Sequence, residues 1–295
     1  MTGRVTGETP IGTACHAGGI LATCAPPVAS AVNVSGMTTP AERAQTLSDL
    51  HAAPEILRVV NVWDVVSAEA ILALPETRAI ATAGHSIAAM FGYEDGTDIP
   101  LELVLNMVGR IVSVAGDIPV TADLDAGFGD AGETTRRAIG VGIVGANVED
   151  RLQPLADSVR AVEAIVRAGE AEGVPFALNA RTDAFVRAGD RSTEESIADA
   201  IERGRAYLDA GADLVFVPGI LDADITRRLV DGLGERKLSV IGLPGALTAA
   251  EYEDLGVARI SYGPTTQRVA LTALQDVAQQ LYANGVIPPS TRPLN

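Results

Sequence analysis

From about residue 40 onward, an amphipathic stretch is followed by a short apolar run, and this alternation repeats until eight runs have passed. The runs are Ile56–Val62, Arg78–Thr82, Ile118–Leu124, Ile143–Val148, Pro175–Asn179, Leu214–Val217, Leu238–Ile241 and Ala258–Ser261. Each has strand length and strand composition. Between and around them the spacing predicts helices at Ala41–His51, Ser67–Leu74, Leu101–Ala115, Glu133–Gly142, Ser158–Glu172, Thr193–Ala210, Ala223–Leu233, Ala249–Leu255 and Thr265–Leu281. Buried Val/Ile/Leu strands joined through helices imply a parallel sheet. Eight such units favour an α/β fold closed as a (β/α)8 TIM-type barrel over a doubly wound open sheet. Polar residues cluster after several successive strands, as a site at the top of a barrel requires. No Gly-x-Gly-x-x-Gly opens a helix, and no phosphate-cradling lysine loop appears.

A core of small and branched residues suits this repeated fold, and only 4% of the 295 residues are aromatic. The net charge of −16 argues against nucleic acid and anionic membrane as partners. No apolar run approaches the roughly 20 residues of a membrane helix. The two cysteines, Cys15 and Cys24, lie in the first 30 residues, so the body has no thiol nucleophile and no thiolate zinc site. Residues 1–36 show no period and read as a disordered tail or a mis-assigned start, with residues 37–295 as one barrel domain. Leu21–Cys24 resembles a lipoprotein cleavage site only faintly, and the expected location is cytoplasmic.

Three strand ends carry chemistry. Asp123 and Asp125 lie two apart, on one face of a strand. Like charges that close need a cation or a proton between them, and hard oxygen ligands suit Mg2+ or Mn2+. Glu149 ends the next strand and would join them. The plain alternative is that Asp125 caps a loop while Asp123 faces solvent. Arg181, beside Asn179, could grip a substrate carboxylate with two parallel hydrogen bonds, or simply pair with Asp183. In Thr82–Ile87, Gly84 lets backbone N–H groups approach an anion, and His85 is the only histidine in a candidate site. Asp95 could stand behind the metal, or merely turn the chain before Gly96.

Together with Asn61–Asp64, Ala210–Asp213 and Leu255–Ser261, these motifs make residues 61–270 resemble the isocitrate lyase and phosphoenolpyruvate mutase superfamily, especially its short bacterial branch. The resemblance implies a modified (β/α)8 barrel and a homodimer or homotetramer with a swapped C-terminal helix. It also implies Mg2+ bound directly by Asp123, with Asp125, Asp95 and Glu149 around its water shell. By the same resemblance, Thr82, Ala83, Gly84 and His85 sit where a substrate carboxylate binds, Asn179 and Arg181 hold the other end, and Glu149, Arg181 and His85 are catalytic.

This sequence also departs from the family pattern. The Lys-Lys/Arg-Cys-Gly-His loop of isocitrate-type lyases is replaced by Arg151–Asp157, without cysteine. The Asp-Lys-x-Phe-Pro-Lys-type gate of the mutases is missing, and Ala83 stands at the loop serine. The expected activity is cleavage of a C–C bond in a small 2-oxo or 2-hydroxy dicarboxylate through an enolate. Alternatives are a P–C bond enzyme of phosphonopyruvate type and a catalytically weak oxo-acid-binding protein.

Overall fold

The computed structural model describes residues 38–94, 96 and 99–294. The tail expected at 1–36, both cysteines and Asp95 lie outside the described residues. Eight parallel strands close into a barrel in sequence order: β1 (Leu57–Val62), β2 (Ile80–Thr82), β3 (Val120–Asp123), β4 (Gly145–Glu149), β5 (Ala177–Arg181), β6 (Leu214–Phe216), β7 (Leu238–Ile241) and β8 (Arg259–Ser261). Helix α1 (Pro40–Ala52) precedes β1. Helix α2 (Val65–Leu72) joins β1 to β2, while α3 (Gly84–Met90) and α4 (Leu101–Ala115) join β2 to β3. The remaining connections are α5 (Ala131–Gly140), α6 (Leu155–Ala171), α7 (Thr193–Asp209), α8 (Ala223–Leu233) and α9 (Ala249–Asp254), and α10 (Thr265–Asn284) follows β8.

The parallel register sorts side chains by face, because paired residues point the same way. Asp123 pairs with Asn147, Asn147 with Asn179, and Glu149 with Arg181. Alternate residues of the same strands, such as Ala122, Ala146, Leu178 and Ala180, pack outward into the main apolar cluster beneath the helices. The inside of this barrel is therefore unusually polar for the fold, and its upper rim carries the acids.

Helix α1 closes the bottom. Thr39 and Glu42 form a reciprocal capping box with Pro40 at its first turn. Leu47 reaches the barrel floor, where a Cβ on Gly145 would lie 2.8 Å from Leu47 Cδ2 and 2.6 Å from the Ala177 carbonyl oxygen. Ser48 donates to Asp213 at 3.0 Å, and Asp213 also accepts the Leu178 N–H at 2.9 Å. The expected strand at Pro175–Asn179 begins two residues late, at Ala177. Pro175 has no N–H for the ladder, and the pairing with β4 starts only at Gly145. This shift brings Arg181 into the strand. Helix α3 matches none of the helices that the spacing predicts; it is only seven residues long, and its N-cap, Ala83, makes no side-chain capping bond.

Candidate active site

The rim of the barrel at the carboxyl ends of the strands holds a cavity of about 430 Å3. Asp123, Asp125, Glu149, Arg181 and His85 all line it. A larger cavity of about 900 Å3 lies near the opposite end, beside Leu57 and Ala79 at the starts of β1 and β2. Barrel chemistry is built at the carboxyl ends, so the smaller, acid-lined cavity is the candidate site.

Asp123 is the last residue of β3. Its Oδ2 accepts the Gly84 N–H at 3.1 Å, and its own N–H donates to Thr82 Oγ1 at 3.3 Å. Asp125 lies past the strand, in a left-handed conformation with φ 47°, so its direction comes from a turn and not from strand alternation. The turn is pinned, because the Glu149 N–H donates to the Asp125 carbonyl at 2.8 Å. The two carboxylates nevertheless converge. A Cβ on Gly84 would stand 3.1 Å from Asp123 Oδ2 and 3.1 Å from Asp125 Oδ1. Glycine at 84 keeps that space open.

Glu149 ends β4 between two guanidinium groups. Its Oε2 is 2.9 Å from Arg181 Nη1, and its Oε1 is 2.7 Å from Arg151 Nε. Arg181 also donates through Nε to Asp183 Oδ1 at 2.8 Å, and Arg187 holds the other oxygen of Asp183 at 2.9 Å. Arg181 thus pairs with Asp183, the plainer of the two expectations, and it also lines the cavity. Burial works against the Arg181 charge, but Glu149, Asp183 and Asp123 outweigh it and push its pKa up. Asp123 is pushed above the usual carboxylate range, first by burial and then by Glu149, although Arg181 and the Gly84 N–H oppose the shift.

Behind the rim, Asp150 fixes the loop after β4. It accepts from Tyr207 at 2.7 Å, Arg203 at 3.3 Å, the Leu152 N–H at 2.9 Å and the Asp183 N–H at 3.0 Å. Arg151 and Leu152 are both left-handed, at φ 47° and 53°, a rare state for non-glycine residues that these bonds sustain. The turn folds Arg151 back over Glu149.

Several expected contacts lie elsewhere. Thr82 and Ala83 are buried and do not line the cavity; Thr82 serves the Asp123 backbone, and Ala83 is the N-cap of α3. Gly84 reaches the site through its N–H. Asn179 is buried in the floor and does not line the cavity; it donates to Asn147 Oδ1 at 2.8 Å and Ser239 Oγ at 3.1 Å. Conversely, four residues that were not site candidates line the cavity: Arg187, Arg268, Asn61 of the Asn61–Asp64 motif, and Arg151 of the loop that departs from the family pattern. Arg268 sits inside a helical run, and nothing local marks which way it faces. Asn61 is set by long-range bonds: its Oδ1 accepts the Tyr262 and Gly263 N–H groups at 2.7 and 2.9 Å.

Among the described residues, no group of three or more His, Cys, Asp or Glu side chains stands close enough to cage a metal ion. Mg2+ seldom asks for such a cage; it keeps several waters and takes one or two carboxylates. Asp123 and Asp125, converging over a glycine, fit that habit.

The model of the family described as phosphoenolpyruvate phosphomutase matches residues 47–282. The chain belongs to this family. It is an enzyme of the isocitrate lyase and phosphoenolpyruvate mutase superfamily. It is 29% identical over 269 residues to a Corynebacterium glutamicum protein named "Probable 2-methylisocitrate lyase 2", covering 85% of each chain. It is 30% identical over 219 residues to the 2,3-dimethylmalate lyase of Eubacterium barkeri, covering 68% of this chain and 75% of that one. A crystal structure of a 2,3-dimethylmalate lyase superimposes with a TM-score of 0.74 at 25% identity, over 85% of this chain and 89% of the other. The family resemblance and the barrel expected from the sequence are thus both found.

Proposed function

We propose that this family member is a Mg2+-dependent lyase or hydrolase that cleaves a C–C bond of a small 2-oxo or 2-hydroxy dicarboxylate. The observation that carries the reading is the meeting of Asp123 and Asp125 over Gly84, directly beside the Glu149–Arg181 pair. The relatives named as 2-methylisocitrate and 2,3-dimethylmalate lyases support it.

Bound at Asp123 and Asp125, Mg2+ would supply a Lewis acid for the enolate charge that develops when the bond breaks. Arg181 binds one substrate carboxylate through its planar fork. Glu149 holds Arg181 and Arg151 through one carboxylate oxygen each. His85, on the cavity wall, moves the proton that the departing carbon needs. The enzyme acts in the cytoplasm in this proposal; no helix among the described residues is long and apolar enough to cross a membrane.

A thermal-shift screen tests the reading, with and without Mg2+, against oxalate, pyruvate, oxaloacetate, 2-oxoglutarate and methylisocitrate. A ligand that binds only the folded state raises the melting temperature by mass action. The expected result is stabilisation that requires Mg2+ and an oxo acid together. Stabilisation by neither would sink the proposal. The family model's own description favours a second reading, P–C bond chemistry on phosphonopyruvate; phosphorus NMR of that compound with enzyme and Mg2+ would show loss of its signal.

The active unit is proposed to be a homodimer or homotetramer joined through α10. Along its 20 residues only Gln267 is buried, while Val269, Leu271, Leu274 and Tyr282 are exposed. A second copy is the surface such a helix fits.

A further inference from the structure

Arg259 heads the fully buried side chains by residue volume among the described residues, with 0% exposure. Its direction follows from the register. Arg259 on β8 pairs with Ser239 on β7 and with Leu57 on β1. Ser239 faces the barrel interior, because its Oγ accepts from Asn179 at 3.1 Å. Paired residues of a parallel sheet share a face, so Arg259 also points inward, beneath the floor formed by Asn147, Asn179 and Ser239. Small inward residues leave it room: Gly145, Ala81 and Ala177 lie at neighbouring register positions.

Inside the barrel its guanidinium meets no protein acceptor. Nε, Nη1 and Nη2 all lack a hydrogen-bond partner among the described residues. Asn179 Oδ1 and Thr121 Oγ1 in the same interior are equally without one among the described residues, as are the ring nitrogens of His51, which stands close enough to Arg259 to feel its charge. Burial lowers the Arg259 pKa to about 10, which leaves it a full cation at neutral pH. A buried charge with no partner is costly enough that folded proteins satisfy it. The partner must serve both kinds of atom. Arg259 offers only donors, and Asn179 Oδ1 offers only an acceptor. An inorganic anion would satisfy the arginine and leave Asn179 Oδ1 orphaned. Water accepts from the first and donates to the second, and a buried water typically makes about three hydrogen bonds.

We infer that the barrel encloses an internal hydration site in which water bridges Arg259 to Asn179 Oδ1, making Arg259 a positioning residue for the floor of the active site. The bridge fixes which way the Asn179 amide faces. With Oδ1 held toward Arg259, Nδ2 points at Asn147 and Ser239, and Asn147 lines the cavity beside Asp123. Arg259 thereby acts on the substrate site without touching it. The second half of this inference rests on the proposed site; the hydration itself does not.

Two measurements decide it. A high-resolution crystal structure of the full chain, with a bromide-soaked companion crystal, reads the hydration directly. The expected result is ordered density within hydrogen-bond distance of both Arg259 and Asn179 Oδ1, with no anomalous bromide peak. A dry interior, a direct bond from Arg259 to a protein acceptor, or a bromide peak would each overturn the hydration site. Calorimetry with oxalate and Mg2+ then reads the positioning role in Arg259→Met and Arg259→Lys. Arg259→Met is expected to weaken oxalate about tenfold while keeping a cooperative melting transition, and Arg259→Lys to recover part of that loss. Unchanged oxalate affinity in a folded Arg259→Met would overturn the positioning role. If Arg259→Met fails to fold, Arg259→Lys and the crystal decide the question between them. Failure of the wild-type protein to bind oxalate would count against the proposed function, and the crystal would still decide the hydration site.

Discussion

Asp123 and Arg181 divide the work of the site, and each can be removed separately. Asp123→Ala takes away the carboxylate that meets the Gly84 N–H. The expected outcome is loss of all Mg2+-dependent thermal stabilisation with the fold retained; full retention of that stabilisation would show the acids to be structural. Arg181→Lys keeps the charge and loses the fork that now reaches Glu149 and Asp183. Oxalate affinity measured by calorimetry should fall by about 1.5–3 kcal/mol, the usual worth of a charge-assisted hydrogen bond. These two residues were legible in the sequence because each ends an apolar run, where a polar side chain has no packing role to explain it. Arg151 was not. Its approach to Glu149 depends on two consecutive left-handed residues sustained by Asp150, and no composition rule signals such a turn without glycine.

Helix α1 shows how an element far from the chemistry sets the barrel floor. Gly145→Ala would push a methyl group against Leu47 and the Ala177 carbonyl. Overpacking of this kind costs about 1–3 kcal/mol, and urea unfolding should report it as a lower midpoint with an unchanged slope. His51 in the same helix is buried, and neither ring nitrogen has a hydrogen-bond partner among the described residues. Burial, then the nearby Arg259, Lys237 and Arg236, hold its pKa well below the usual value. The unfolded chain thus binds a proton that the folded chain refuses. Stability is accordingly highest above the unfolded pKa of about 6.5, and it falls as pH drops below that value, by at most about 1.4 kcal/mol per pH unit from this group. His51→Leu should lose that component of the slope when unfolding free energies are compared between pH 7 and pH 5; parallel pH profiles for the two proteins would refute it. At this scale the long helices read well, since their apolar spacing and capping residues are local. Helix α3 did not, because a seven-residue helix with alanine at its N-cap offers neither signal.

For the whole molecule the exposed apolar face of α10 is the feature a monomer explains least. Large exposed apolar patches mark association surfaces. Light scattering of the purified chain should give a dimer or a larger closed oligomer, and Leu271→Asp with Leu274→Asp should shift it toward monomer. A wild-type monomer at micromolar concentration would refute the proposal.

By itself the sequence determined the eight-fold alternation, hence the barrel, and which strand ends would carry acids or arginine. Those are properties of short stretches, where hydrophobic period and the punctuation of apolar runs speak for themselves. Only the tertiary structure decided that Glu149 lies between Arg151 and Arg181, that Asn179 is buried in the floor and does not line the cavity, and that Arg259 is sealed inside. Each of these depends on barrel register and on turns stabilised by residues 30 or more positions away, such as the Asp183 N–H and the Tyr207 hydroxyl that hold Asp150. A side chain's inward or outward face follows from pairing between strands, and pairing is a property of the closed sheet, not of any one segment of chain.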